Sequence, residues 1–235
     1  MQTIRAAFEL HDQLNPKIWD ENNMLRRDVK AKLDEIVDEF AESIDIPLTI
    51  IDAHIVGSNA SYNYTEYSDL DLHCIVNFRR LDADPSIVET WMWAEKKLFN
   101  DEYDISIRGI NVEMYVEDVG SNTMSNGIYS LFNDEWIKFP EPIIAHVDEE
   151  AVDEKVDNLI PDIESILNEG TLEEVEDMID ELYLIRKNGL ATDGEFGIGN
   201  QTFKELRNQG YLDMLKDRVL ELKSDELSIS ASKNF

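Results

Sequence analysis

Thr49-Ile50-Ile51-Asp52-Ala53-His54-Ile55-Val56-Gly57-Ser58, followed after ten residues by Asp69-Leu70-Asp71-Leu72-His73-Cys74-Ile75-Val76, decides how this chain is read. The first run is apolar, β-branched and closed by a glycine, which predicts a strand from Thr49 to Val56. In the second run Leu70, Leu72, Cys74 and Val76 alternate with Asp69, Asp71, His73 and Ile75, the period of a strand. Side chains two apart on a strand point the same way, so Asp69 and Asp71 share a face. Carboxylates held that close repel unless a cation lies between them, and hard oxygen ligands suit Mg2+ or Mn2+. Gly57-Ser58 is a small pair that lets backbone amides approach a phosphate. His73 lies on the acids' face, where it is a candidate support or substrate contact beside the plainer reading of a structural histidine. Cys74 falls on the opposite face as a small buried hydrophobe.

Working outward, Ile18, Leu25, Val29, Leu33, Ile36, Val37, Phe40 and Ile44 recur at helical spacing and predict an amphipathic helix from about Ile18 to Ile44. Residues 59–68 read as a loop or short helix. A second helix starts near Pro85, with Ile87, Val88, Trp91, Ala94, Leu98 and Phe99 as its apolar face. Ile105 to Arg108 and Ile110 to Val116 are strand-like, with Gly109 in the turn between them. Gly120 to Gly127 is loop-like, and Ile128 to Ile137 has room for another strand. Tyr129 and Trp136 in that run suit packing better than base stacking. Pro140 and Pro142 place a domain boundary near residue 145, giving domains 1–145 and 146–235. The second domain reads as helical. Val152 to Leu167 is amphipathic with a break expected near Pro161. Thr171-Leu172-Glu173-Glu174 is a capping box that opens a helix to about Lys187, where Asn188-Gly189 can stop it. Gly194, Gly197 and Gly199 suggest a flexible link, a last helix spans about Gln201 to Leu222, and the tail from Ser224 is expected to fray. There are no internal repeats.

Among the 235 residues, 51 acids face 21 bases, for a net charge of −30. Such a surface repels nucleic-acid backbones and anionic membranes, so an extended nucleic-acid track is not expected. The acids are spread along the chain, as on solvated helix faces. A single cysteine excludes an intramolecular disulfide and a cysteine zinc cage. His11, His54 and His146 show no metal-ligand spacing. No apolar stretch approaches the roughly 20 residues of a membrane span, and the N-terminus does not read as a signal peptide. A soluble, cytoplasmic protein is therefore expected, and the sequons at Asn59 and Asn63 read as chance matches.

Val56-Gly57-Ser58, the ten-residue spacer and Asp69-Leu70-Asp71-Leu72 together resemble the signature of the DNA polymerase β-like nucleotidyltransferase superfamily. The resemblance covers roughly residues 25 to 120. It implies an α+β fold, a mixed sheet flanked by helices, with a helical C-terminal domain closing the nucleotide cleft. It implies that Gly57 and Ser58 hold a triphosphate, that Asp69 and Asp71 bind two Mg2+ or Mn2+ ions, and that a third acid comes from a later strand. Glu113, within Ile110-Asn111-Val112-Glu113-Met114-Tyr115-Val116, matches that position. Many family members carry Asp there, so Glu is a departure; Glu117, at the strand end, is its nearest competitor. The reaction implied is transfer of a nucleoside monophosphate from a nucleoside triphosphate, ATP included, to an acceptor hydroxyl on a small molecule, a protein or an RNA end. Basic residues are needed against the triphosphate, and Lys204 is the first candidate, with Arg186 and Arg207 behind it. Gly127-Ile128-Tyr129-Ser130 and Phe203-Lys204-Glu205-Leu206-Arg207-Asn208 are also similar to nucleotidyltransferases encoded by bacteriophages. The alternative is a catalytically idle protein of the same fold whose acidic surface binds a basic partner or mimics DNA.

Overall fold

A computed structural model describes residues 9–44, 48–81, 83–145 and 147–228. The chain divides into two compact units, one from Glu9 to Ile143 and one from Ile144 to the end of the described residues. The architecture is α+β, with one mixed six-stranded sheet and six α-helices among the described residues.

The first unit holds the sheet. Its strands are β1 (Ile50–Val56), β2 (Leu70–Val76), β3 (Ser106–Ile107), β4 (Ile110–Asp118), β5 (Ile128–Ser130) and β6 (Glu135–Lys138). They lie in the order β3-β4-β2-β1-β5-β6, with β2 and β4 parallel and every other pair antiparallel. Arg108 and Gly109, both at positive φ, make the two-residue turn between β3 and β4. That turn matches the right-handed twist of a hairpin. Helices α1 (Arg27–Ser43) and α2 (Pro85–Glu102) supply Val29, Leu33, Phe40 and Phe99 to the same core as Leu70, Leu72, Cys74 and Met114. Burial and strand alternation thus assign one face of β2 and β4 to the core and leave the other to polar side chains.

Several helical expectations need correction in this unit and the next. The expected helix from Ile18 begins only at Arg27. Asp20 accepts hydrogen bonds from the amides of Asn22 and Met24, Asn23 takes a positive φ, and Trp19 bridges Leu25. Ile18 and Leu25 are buried, but from a loop. On α2 the buried stripe is Val88, Met92 and Phe99, whereas Ile87 and Leu98 are exposed. Tyr129 is fully buried, packed edge-on against Trp19 with Trp136 beside it, so both serve the core. Asn59 and Asn63 are buried too, which leaves neither sequon accessible.

The helical unit comprises α3 (Glu149–Glu169), α4 (Leu172–Thr192), α5 (Ile198–Asn208) and α6 (Tyr211–Leu227), around Val156, Ile163, Val175, Leu182, Phe203, Leu206 and Leu215. Thr171 and Glu174 form the capping box. Helix α3 runs through Pro161 without the expected break, because Pro161 sits on an exposed face where water can serve the carbonyl it frees. Helix α4 runs past Asn188-Gly189 to Thr192. Gly189 and Gly199 let α4 and α5 touch: a Cβ on Gly189 would lie 2.7 Å from the Asn200 amide, and one on Gly199 would lie 2.8 Å from the Ile185 carbonyl. Gly199 is therefore a packing residue and not part of a flexible link. The single last helix expected from Gln201 is two, separated at Gln209-Gly210, and the second remains helical to Leu227 instead of fraying at Ser224. His146, the rest of the tail and the N-terminal segment lie outside the described residues. No helix among the described residues is long and apolar enough to cross a membrane.

Candidate functional site

Alternation along β2 buries Leu70, Leu72 and Cys74 and turns Asp71 and His73 to the polar face. Burial raises the Cys74 thiol to about 12, so it stays protonated. The parallel register with β4 pairs Asp71 with Glu113, His73 with Tyr115 and Ile75 with Glu117. Neighbouring strands lie about 4.8 Å apart, so Asp71 and Glu113 are adjacent carboxylates. Asp69 immediately precedes β2, two residues from Asp71. Tyr115 registers all three acids. Burial first, then a hydrogen bond to Glu113, then the charges of Glu113, Asp71 and Asp69 raise its hydroxyl well above the usual range.

The same register puts Val56 beside Asp71, which sets the next residue, Gly57, against that carboxylate. Gly57 has φ 74° and ψ −160°. That region is essentially closed to residues with a side chain. A Cβ built there would lie 1.8 Å from Asp71 Oδ2. A single 3₁₀ turn, Ser58–Ala60, follows. The Gly57 amide donates to Ser125 Oγ at 3.2 Å, and Ser58 Oγ donates to Ser68 Oγ at 2.9 Å.

Asn59, fully buried, ties this turn to the acids. Its Nδ2 donates to the carbonyls of Asp69 (2.8 Å) and Ser68 (3.2 Å), and its Oδ1 accepts from Asn15 Nδ2 at 2.7 Å. Trp19 Nε1 donates to the Asn59 carbonyl at 2.7 Å. Gly127 is required by the same turn, since a Cβ there would meet the Ala60 carbonyl at 1.9 Å. Asn59 escaped the sequence reading because a polar residue in a polar loop carries no periodic signal.

Two carboxylates further along the face are engaged differently. Glu117 meets His73 Nδ1 at 2.9 Å and accepts from Thr123 Oγ1 at 2.5 Å. The bond to His73, ahead of that to Thr123, holds its carboxyl below the usual range. Asp52 accepts from Ser130 Oγ at 2.7 Å and meets His54 Nε2 at 3.2 Å, anchoring the β5–β6 turn. Glu113 has another neighbour: Lys96 of α2 places its Nζ 3.6 Å from Glu113 Oε1 and 3.9 Å from the centroid of the Tyr115 ring. Lys96 was missed by the sequence reading. The signal was present, since Met92, Lys96 and Phe99 fall on one helical stripe.

The donor set bears on a metal. Asp69, Asp71 and Glu113 offer only carboxylate oxygens, the set that Mg2+ and Mn2+ prefer. Two of them are paired in register and the third is one strand repeat away. Among the described residues no three His, Cys, Asp or Glu side chains stand at ligand spacing. By type and by backbone placement the residues fit.

The three basic candidates belong to the helical unit. Lys204 on α5 pairs with Glu195, Nζ to Oε1 3.2 Å. Arg186 on α4 lays its guanidinium over the Phe203 ring, 4.9 Å from the centroid. Arg207 lies three residues beyond Lys204 on α5 and is half-buried. The same helix buries Asn200 and Gln201, whose side-chain oxygens have no hydrogen-bond partner. Comparison of the chain with family models, with curated proteins and with solved structures finds no match in any of the three.

Proposed function

We propose that this chain is a metal-dependent nucleotidyltransferase of polymerase β-like architecture, moving a nucleoside monophosphate from a nucleoside triphosphate to an acceptor hydroxyl. The observation that carries the proposal is the pairing of Asp71 with Glu113 on neighbouring strands while Gly57 packs its backbone on Asp71. Asp69, Asp71 and Glu113 would hold Mg2+ or Mn2+, two ions in all, which when bound neutralise and polarise phosphate oxygens. Gly57 and Ser58 donate their amide and hydroxyl to the triphosphate, in place of Ser125 and Ser68. The acceptor oxygen attacks the α-phosphorus in line, a new P–O bond forms, and the bond to pyrophosphate breaks. Glu113 takes the proton from the attacking hydroxyl onto a carboxylate oxygen. A net charge of −30 favours compact or cationic acceptors, whether a small molecule, a protein side chain or an RNA end.

The test is incubation of the purified chain with α-labelled nucleoside triphosphates, Mg2+ or Mn2+, and a cell extract as acceptor source. Transfer with pyrophosphate release, reduced by about a hundredfold or more in Asp71→Ala, is expected. No pyrophosphate under any condition would sink the proposal. A second reading, an idle scaffold with an acidic binding surface, draws support from Lys96, which already neutralises Glu113. It predicts no thermal stabilisation by Mg2+ with any nucleoside triphosphate; the catalytic reading predicts a rise that Asp69→Ala/Asp71→Ala abolishes.

A further inference from the structure

Helix α2 commits only one of its two apolar stripes to the sheet. Val88, Met92 and Phe99 are buried, while Ile87 is 63% exposed and Leu98 is 60% exposed. Ile87, Trp91, Ala94 and Leu98 follow one another at four-, three- and four-residue spacing, so they form a continuous strip along the helix. Trp91 is half-buried against the core and anchors the middle of the strip, and Ala94 beside it is exposed. A row of apolar side chains left outward on a helix marks an interaction surface. Its borders are acidic. Glu95 accepts from Trp91 Nε1 at 2.7 Å. Asp101 and Glu102 are exposed at the C-terminal end, and Tyr103 just beyond them donates to Glu39 of α1 at 3.4 Å. Asp84 and Glu89 are exposed at the other end. Of the helix's two lysines, Lys97 pairs with Asp101 and Lys96 turns to Glu113.

We propose that the outward strip of α2 is a docking surface for a basic amphipathic helix of a partner protein. The partner lays its apolar side chains on Ile87, Trp91 and Leu98 and its lysines or arginines against the acids at the borders. Charge selects this occupant. In an antiparallel pair of two copies, Asp101 and Glu102 of one helix lie against Asp84 and Glu89 of the other; in a parallel pair they lie against themselves. Both arrangements set acid against acid, which costs affinity. An anionic lipid surface is repelled by the same groups and by the net charge of −30. A cationic helix is attracted along the whole strip. The inference is independent of the carboxylates on β2 and β4, and its failure leaves their reading untouched.

The test uses the full chain and a fluorescent synthetic peptide of about 20 residues, long enough to be helical, with leucine at helical spacing and lysine elsewhere. Binding is read by anisotropy, against a scrambled peptide of the same composition and against one with glutamate in place of lysine. The patterned basic peptide is expected to bind in the micromolar range and the other two far more weakly. Leu98→Ser should weaken binding about tenfold. Asp101→Asn/Glu102→Gln should weaken it severalfold at low salt and less at high salt. Trp93→Ser is the control: Trp93 is also 60% exposed, but it lies about 120° round the helix from Ile87, and its loss should change nothing. Absence of binding overturns the proposal. Equal binding of the scrambled peptide, or indifference to Leu98→Ser, also overturns it, since general charge would then suffice. A dimer in sedimentation that Leu98→Ser dissociates overturns it in favour of a second copy, and vesicle binding lost in Leu98→Ser overturns it in favour of a lipid surface. Where Leu98→Ser does not fold, Ile87→Ser makes the same comparison.

Discussion

Replacing Gly57 by alanine tests the closest contact in the site. Two effects separate. The backbone at φ 74°, ψ −160° is glycine territory, and holding alanine there costs about 1–3 kcal/mol. For a chain of this size that is a fall in melting temperature of about 2–12 °C. The new Cβ also lands 1.8 Å from Asp71 Oδ2 and 2.9 Å from Cγ, but 3.5 Å from Asp71 Cβ. The clash falls on the far end of a rotatable side chain, so Asp71 turns away from the added methyl. Its carboxylate then leaves the position facing Glu113. A displacement of about 1 Å in a reacting group can cost about a hundredfold in rate. Gly57→Ala is therefore expected to lose far more in Mn2+ affinity and nucleotidyl transfer than its modest destabilisation explains. Gly109→Ala is the control: it also has positive φ, yet nothing lies within 4 Å of its Cβ. It should lose about 1–2 kcal/mol and keep metal binding intact. Urea unfolding and Mn2+ titration of both variants decide the matter. Equal Mn2+ affinity in the two variants would refute the argument that Gly57 exists to make room for the Asp71 carboxylate.

Other consequences can be measured directly. Asn59→Ala strands the Asn15 amide and the Asp69 and Ser68 carbonyls in a buried setting and should cost about 2–4 kcal/mol in urea unfolding; a cost below about 0.5 kcal/mol contradicts its anchoring role. Glu117 titrates below its ordinary 4.5 in the folded chain, so the stability it contributes is complete above that value and lost as pH falls through the folded pKa. Glu117→Gln should accordingly flatten the fall in unfolding free energy as the pH drops below 4.5, and slopes equal to those of the wild type would count against the His73 pairing. Gly189→Ala should destabilise by about 1–3 kcal/mol, because its Cβ meets the backbone of Gly199 and Asn200. A gain of about 1 kcal/mol, the usual result of this change within a helix, would show that α4 and α5 do not touch there.

The carboxylate pair was legible in the sequence because the strand period fixes which residues share a face, whatever the surroundings. Glu113 was named beside it only through the resemblance, since a parallel register is set by the crossover between β2 and β4 and not by either strand alone. Helix α2 shows a different limit. It carries two apolar stripes, Ile87-Trp91-Ala94-Leu98 and Val88-Met92-Phe99, and periodicity alone cannot choose between them. The sheet chose the second, and Lys96 came with it. Spacing from Ile18 to Leu25 imitates a helix, but the Asp20 carboxylate offers the amides of Asn22 and Met24 a better partner. Gly189 looked like a stop because glycine usually is one; contact with Gly199 reverses that preference, and no local pattern announces a contact between helices.

The parallel pairing of β2 with β4 has a kinetic side. Both strands must close a long excursion through α2 and β3 before they meet, which makes their docking a slow, non-local event. That same event forces Asp71 against Glu113, and like charges directly opposed across strands resist pairing. That repulsion, offset at Glu113 by Lys96, works against the step that brings the two acids together. Refolding of this unit should quicken as ionic strength rises, so the speed with which the sheet zips shut is governed by the ions in the surrounding solution as well as by the apolar face beneath it.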